Sequence, residues 1–488
     1  MLFSSLSFIF RFMPLFLIIY LLCPARGKNL VLLTGSLVFY ALGEPVYVFL
    51  MLMSIAVNYA LARFMAANET DLIRKKTALI LAIIYNVGLL LFFKYSAFFL
   101  RIYADICAAA GNTDVTVPSF TLSLPLGISF YTFQIISYVV DVYNDSSNLE
   151  TSFIDLGAYL AMFPQLIAGP IVVHRNIREH LKSPETRVRL VAFDEGLRIF
   201  TIGLGSKVLI ANRLGQLWDA MDEIGYSMIS TDVAWLGIIA YTLQIYFDFN
   251  GYSLMAVGLG RMLGFDFPQN FNYPYNAHSV TDFWKRWHIT LTSFFREYIY
   301  IPLGGNRGGL VKTLRNMLII WLITGFWHGA DWNFIIWGLY YFVFLALERI
   351  LTGKGGLLAE NNLYKKITTD KKYSMYVNII SRLYALLVVI TGWAIFAITD
   401  LTALSIYLGR MFAPFVGGQV SGMGREVITP VMLIWVLGGA VLSTPVFERM
   451  YLKIKNRISG AVLLFVIFWA SIIQLVDSTY NPFLYFRF

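Results

Sequence analysis

The chain has 488 residues, of which 58% are hydrophobic and 14% charged, with 38 Lys and Arg against 29 Asp and Glu for a net charge of +9. Soluble domains carry about 25% charged residues, and one this poor in charge would expose aggregating apolar patches, so composition excludes an ordinary soluble protein and points to lipid as the solvent. The positive balance does not argue for nucleic acid, because basic residues cluster between apolar runs, as in Asp71–Lys76 and Lys453–Arg457, where membrane-protein loops carry them.

A spanning helix needs about 20 mostly apolar residues. The first such run, Ser7–Cys23, has no basic region ahead of it, contains Arg11 and lacks a small-residue cleavage site, which predicts a retained helix instead of a signal peptide. The bulky Leu22 before Cys23 also argues against lipoprotein cleavage. Leu30–Leu42 is short for a span and stops at Gly43-Glu44-Pro45, where proline disfavours further helix. Spans are then expected over Val46–Met65, Ala78–Leu100, Leu124–Val140 and Leu156–Val172, and later over Leu383–Thr399, Val427–Phe447 and Ile458–Val476. Cys23 and Cys107 are the only cysteines, too few and too far apart to argue a disulfide framework or a thiolate metal site.

The middle third differs. Between Val233 and Arg349 the apolar runs are interrupted by Asp248, Asn250-Gly251, Asp282–His288, Arg296-Glu297 and Pro302–Gly309. Irregular backbone facing lipid costs several kcal/mol per unpaired polar group, so these segments are expected inside protein or along a wet cavity. The expectation is an all-α polytopic membrane protein of about 11 transmembrane helices, with re-entrant or interfacial segments at a polar centre. It forms one domain over residues 1–488, with a motif-bearing core at about 120–350. Lys354–Tyr373 is the longest polar connector and is expected on the cytoplasmic side.

The five histidines divide by context. His174 and His180 flank Arg175 and Arg178 and read as a solvated basic loop, and His278 follows Tyr273-Pro274-Tyr275-Asn276 in another loop. His328 ends the apolar run from Met317 and precedes the run Phe334–Leu347. An ionisable group there is a functional-site candidate by default; the bland alternative is a neutral imidazole at a helix junction that Gly329 terminates. His288 falls in Thr281–His288, where helical spacing would put Trp284, His288, Thr292 and Arg296 on one face and let Asp282 cap the helix or pair with Arg286. An interfacial helix anchored by tryptophans accounts for that spacing equally well.

A neutral imidazole can accept the proton of a hydroxyl as its oxygen attacks an activated acyl group, and the oxyanion that develops needs a donor beside it. No HExxH or Cys cluster supports a metal site, and no Gly-x-Ser-x-Gly supports a serine hydrolase. Pro302–Gly309 is not a P-loop, since the Gly-Lys-Ser/Thr ending is absent; a tight turn is the simpler reading than a phosphate cradle. Asp248-Phe-Asn-Gly-Tyr-Ser253 either lines a cavity or breaks a helix.

Taken together, Phe283–His288, Phe295–Arg307 and Phe326–Gly329 resemble the membrane-bound O-acyltransferase family, most nearly its alginate O-acetyltransferase branch, with the teichoic-acid D-alanyl transfer proteins as cousins. Met1–Ser5, Leu124–Phe130, Phe163–Pro170 and Asp248–Ser253 add to the likeness, which covers roughly two-thirds of the chain. The resemblance implies that His328 is the catalytic histidine and His288 the second polar residue of the site, in a funnel that meets a tunnel at mid-membrane. Asp248, Asn250, Trp284, Arg296, Asn306 and Trp327 are the candidates to line the substrate path.

The expected activity is transfer of an acetyl group from a cytoplasmic thioester, acetyl-CoA or an acyl carrier, across the plasma membrane toward an envelope polysaccharide hydroxyl. No bound cofactor or metal is expected. In the alginate branch a secreted or periplasmic partner acyltransferase finishes the transfer. The rival readings are transfer of D-alanyl or another acyl group to a teichoic-acid-type polymer, a transporter or flippase for envelope precursors, and a non-catalytic scaffold.

Overall fold

The computed structural model describes residues 1–112, 123–166, 169–184, 189–352, 357–358, 361, 371–413, 430–478 and 480–484, with the side chains of 371, 372 and 374 left aside. Among the described residues the secondary structure is helical, with no strand. Contacts divide the chain into two compact units, one of Met1–Phe200 with Tyr252–Pro268 and one of Thr201–Gly251 with Gln269–Phe488.

In the first unit two helices start where a polar side chain meets their unpaired amides. Asp71 Oδ1 accepts from the amides of Ile73 and Arg74 at the start of the 38-residue helix Leu72–Ala109, and Ser152 Oγ accepts from Asp155 ahead of Phe153–Ala161. Tyr47–Ala67 packs on Leu72–Ala109, and Asn58 and Asn86 exchange amide hydrogen bonds of 3.1 and 2.8 Å between them. The opening residues form core: Phe3 is buried and stacks on Tyr252 at 4.7 Å, within a cluster that includes Phe8, Phe39 and Phe163.

The run expected to span from Leu156 to Val172 is divided. Its helix ends at Ala161 and a single turn, Phe163–Leu166, follows. Pro164 has no amide to donate, and the Phe163 amide donates sideways to Ser36 Oγ. The Lys354–Tyr373 connector lies almost wholly outside the described residues.

In the second unit the helices Gly309–His328 and Trp332–Thr352 form a tight antiparallel hairpin. A Cβ on Gly325 would sit 2.3 Å from the Phe334 carbonyl oxygen, and one on Gly338 would sit 2.4 Å from that of Trp321. Only glycine at both positions lets the backbones meet. Lys371–Ala397 packs along Trp332–Thr352, and Asn333 Nδ2 fixes its end by donating to the Ile395 and Phe396 carbonyls at 3.1 Å each. The run expected over Val427–Phe447, whose first three residues lie outside the described set, bends by 72° between Pro430–Leu442 and Val446–Ile454, at Pro445.

Six described helices are long and apolar enough to cross a membrane, or seven if that bent pair is one span. The expected figure of about eleven is not reached among the described residues because several apolar runs are short or broken. Asp248–Ser253 makes no such break: it lies inside the uninterrupted helix Thr231–Leu263, which has residues in both units.

Candidate active site

His328 is the last residue of its helix and is 9% exposed. The turn that follows needs Gly329, because a Cβ there would meet the Phe334 ring at 2.0 Å. The imidazole stands edge-on to Trp337 at 5.0 Å and to Phe396 at 5.2 Å, with Trp327 at 4.8 Å. Aromatic edges and faces orient a ring, so this packing sets the direction of the His328 imidazole.

His328 lines a small, partly open cavity. The other walls are Ile245, Asp248 and Phe249 from one helix, Trp287, Trp393, Phe396 and Leu484. His328 and Asp248 are the ionisable groups of this lining. Asp248 is balanced: its Oδ1 lies 2.6 Å from Lys207 Nζ, with the two side chains 3% and 1% exposed.

His288 is not on the helical stripe that its spacing predicts. The chain breaks there, between Val280–Arg286 and Ile289–Phe295, and His288 adopts the left-handed conformation at φ 43°. The neighbouring segment satisfies the exposed backbone, as Ile289 N donates to Asn270 O at 2.9 Å and Asn272 N to Arg286 O at 2.9 Å. Asn270 Oδ1 accepts from the Thr290 amide at 3.3 Å and from its hydroxyl at 2.8 Å. The same oxygen lies 3.0 Å from His288 Nδ1. An oxygen can only accept, so Nδ1 carries the proton and, in the neutral ring, Nε2 carries the lone pair. His288 is not part of the cavity wall; its ring stands at 90° to Phe249, which is, and lies 6.2 Å from Trp327.

The remaining candidates separate. Trp284 is buried against Trp321, Trp337 and Tyr341, one ring away from His328. Trp327 is buried between the two histidines, and Asn250 is half-buried on the Asp248 helix, away from the cavity lining. Arg296 and Asn306 are exposed and do not line the cavity. Asn306 lies in a turn with positive φ at Gly304, Gly305, Gly308 and Gly309, whose carbonyls Leu303 O and Gly305 O accept from Asn316 Nδ2 at 3.2 and 3.0 Å. Asp282 pairs with Arg286 at 2.9 Å, while Ser279 caps the helix.

In the first unit His174 is buried and helical, not solvated: its Nε2 lies 3.7 Å from Glu150 Oε2, and its ring is edge-on to Tyr138 and Tyr159. His180, on the same helix, is half-buried and 3.9 Å from Asp266. Solvation was expected from the flanking arginines, but Ile177 and Leu181 turn one face of His174–Lys182 inward and take His174 with them.

Sequence reasoning missed Lys207, Asn270, Trp393, Phe396 and Leu484. Lys207 had a signal, since a lone lysine in the apolar stretch from Phe200 to Ala211 needs a buried counter-charge. The others carry no mark that separates them from ordinary core.

The membrane-bound O-acyltransferase family model matches residues 44–388. The chain is 34% identical to a probable alginate O-acetylase AlgI of Azotobacter vinelandii, over 100% of both chains. It is 38% identical to a peptidoglycan O-acetyltransferase of Helicobacter pylori, over 72% of this chain and 70% of that one. It is 28% identical to a teichoic acid D-alanyltransferase of Lacticaseibacillus rhamnosus, over 46% of this chain and 58% of that one. An all-helical body with membrane-crossing helices, a buried histidine in the Phe326–Gly329 motif and these matches agree: this chain is a multi-pass membrane O-acyltransferase and belongs to the membrane-bound O-acyltransferase family.

Proposed function

We propose that the protein, acting over its whole length as one acyltransferase, moves an acetyl group from a cytoplasmic thioester toward a hydroxyl of a cell-envelope polysaccharide. Acetyl-CoA or an acyl-carrier thioester is the donor. An extracytoplasmic partner acyltransferase receives the group or completes its transfer. The observation that carries this reading is His328, turned to a small, largely apolar cavity whose one carboxylate is already neutralised by Lys207. Such a cavity suits a short uncharged acyl group. A D-alanyl group would bring an ammonium that Asp248, held by Lys207, is not free to balance. The likeness to alginate and peptidoglycan O-acetyl-transferring proteins, longer and closer than that to the D-alanyltransferase, favours acetyl as well.

In this reading His328 is the general base. Its imidazole takes the hydroxyl proton as the oxygen bonds to the thioester carbonyl carbon. The tetrahedral oxyanion then collapses, the carbon–sulfur bond breaks, and the proton leaves with the thiolate, giving an ester and a thiol. His288 has no proton on a neutral Nε2 to give to the oxyanion, and its part is to orient the hydroxyl through the Phe249 and Trp327 rings that separate it from the cavity.

The test is mild alkaline release of esters from the envelopes of wild-type cells and of a deletion strain, with acetate and D-alanine measured separately by polymer fraction. Loss of acetate alone supports the reading and names the acceptor. Loss of D-alanine alone contradicts it.

A further inference from the structure

Lys207 and Asp248 are buried together in the apolar interior of the second unit, where an ion pair costs desolvation that only further hydrogen bonds offset. Most of those bonds go to one short segment, directly or through Asn212. Lys207 Nζ donates to the Pro482 carbonyl and, at 2.8 Å, to Asn212 Oδ1. Asp248 Oδ2 accepts from the Leu484 amide at 2.9 Å. Asn212 Nδ2 reaches the Tyr480 carbonyl and Asn481 Oδ1, both at 3.3 Å. The Tyr480 hydroxyl donates to Asp219 Oδ2.

The local fold is built for this contact. Lys207 lies in a π-helical turn, Ser206–Ala211, of the kind that marks functional sites. One turn beyond Asp248 stands Gly251, where a Cβ would meet the Gly203 carbonyl at 2.8 Å and the Lys207 amide at 2.9 Å. The glycine brings the two helices close enough for the pair to form. The segment Tyr480–Leu484 has almost no helical bonding of its own, so these side chains supply partners for its buried backbone.

Its last described residue, Leu484, is buried and forms a wall of the His328 cavity. We propose that Lys207 and Asp248 are positioning residues: their ion pair clamps Tyr480–Leu484 so that Leu484 limits the length of the acyl chain the cavity accepts. The specificity belongs to short-chain acyl thioesters. The inference rests on the reading of this cavity as the acyl site.

The experiment uses the full chain in membrane vesicles with the envelope polysaccharide as acceptor, supplies acetyl or butyryl as both the CoA and the acyl-carrier thioester, and follows thiol release. Three forms are compared with wild type: Leu484→Ala, the charge-free pair Lys207→Met with Asp248→Asn, and all three changes together. A methylene at an apolar wall discriminates by about tenfold or more. Leu484→Ala should therefore shift the acetyl-to-butyryl ratio of kcat/KM by about tenfold toward butyryl. The clamp variant should shift it the same way, and the triple variant no further. A clamp variant that lowers both rates equally, with the ratio kept, reduces the ion pair to structural support and overturns the proposal. So does an unchanged ratio in Leu484→Ala. Wild type that consumes neither thioester overturns the acyl-site reading itself, a different failure from a working enzyme with an unmoved ratio.

Discussion

Asn270 Oδ1 holds His288 Nδ1 at 3.0 Å and the Thr290 hydroxyl at 2.8 Å, so one buried amide oxygen ties the imidazole to the chain beyond the helix break. Asn270→Ala leaves buried donors on His288 and Thr290 unsatisfied, at a cost of about 1–3 kcal/mol. If His288 orients the hydroxyl, kcat should also fall by about a hundredfold, as misplacement near 1 Å does elsewhere. Asn270→Asp keeps the accepting oxygen and should recover most of that loss. Equal kcat for wild type and Asn270→Ala at matched folded protein would show that the Asn270 tether does not position His288 for the reaction.

The glycines of the His328 hairpin give a stability prediction. Gly338→Ala places a Cβ 2.4 Å from the Trp321 carbonyl, where backbone must move. Overpacking of this kind costs about 1–3 kcal/mol. Gly438→Ala, with nothing within 4 Å of its Cβ in a helix interior, should be neutral or stabilising by about 0.4–1 kcal/mol. Thermal unfolding in detergent checks both. A Tm for Gly338→Ala at or above that of Gly438→Ala would contradict the packing account.

Glu150 gives a pH prediction away from the reaction. Burial pushes its carboxyl up, but the His174 side chain and the Ser152 amide outweigh that and hold it below the ordinary value of 4.5. A depressed folded pKa means that the stabilisation is complete above the unfolded value and is lost as pH falls through the folded one. Wild type should therefore lose Tm on acidification below about pH 4.5 more steeply than Glu150→Gln, and the variant should be less stable at neutral pH. Parallel curves with equal Tm at pH 7 would show that the contact contributes nothing.

The sequence made some of this architecture legible, for identifiable reasons. Long apolar runs such as Ile458–Asp477 announce themselves by hydropathy, which needs no tertiary context. His328 stood out because an imidazole between two apolar runs is costly without a purpose. His288 has a different backbone from the one its spacing suggests. The periodicity from Trp284 to Arg296 is helical on both sides, and only tertiary hydrogen bonds from Asn270 and Asn272 support the break. Arg296 and Asn306 lie outside the lining of the His328 cavity, because adjacency in a motif is not adjacency in space. Lys207 and Leu484 meet Asp248 from 41 positions before it and 236 after, a separation no local pattern encodes.

The central claim is that His328 performs the transfer. The most direct measurement compares wild type, His328→Ala and an empty-membrane control at matched expression, following thioester cleavage and ester-linked acetate in the same vesicles. Loss of a general base costs about 10²–10⁴-fold, so the variant should fold, insert and bind donor while both signals drop to the control level. Wild-type rates of ester formation in His328→Ala would contradict the account.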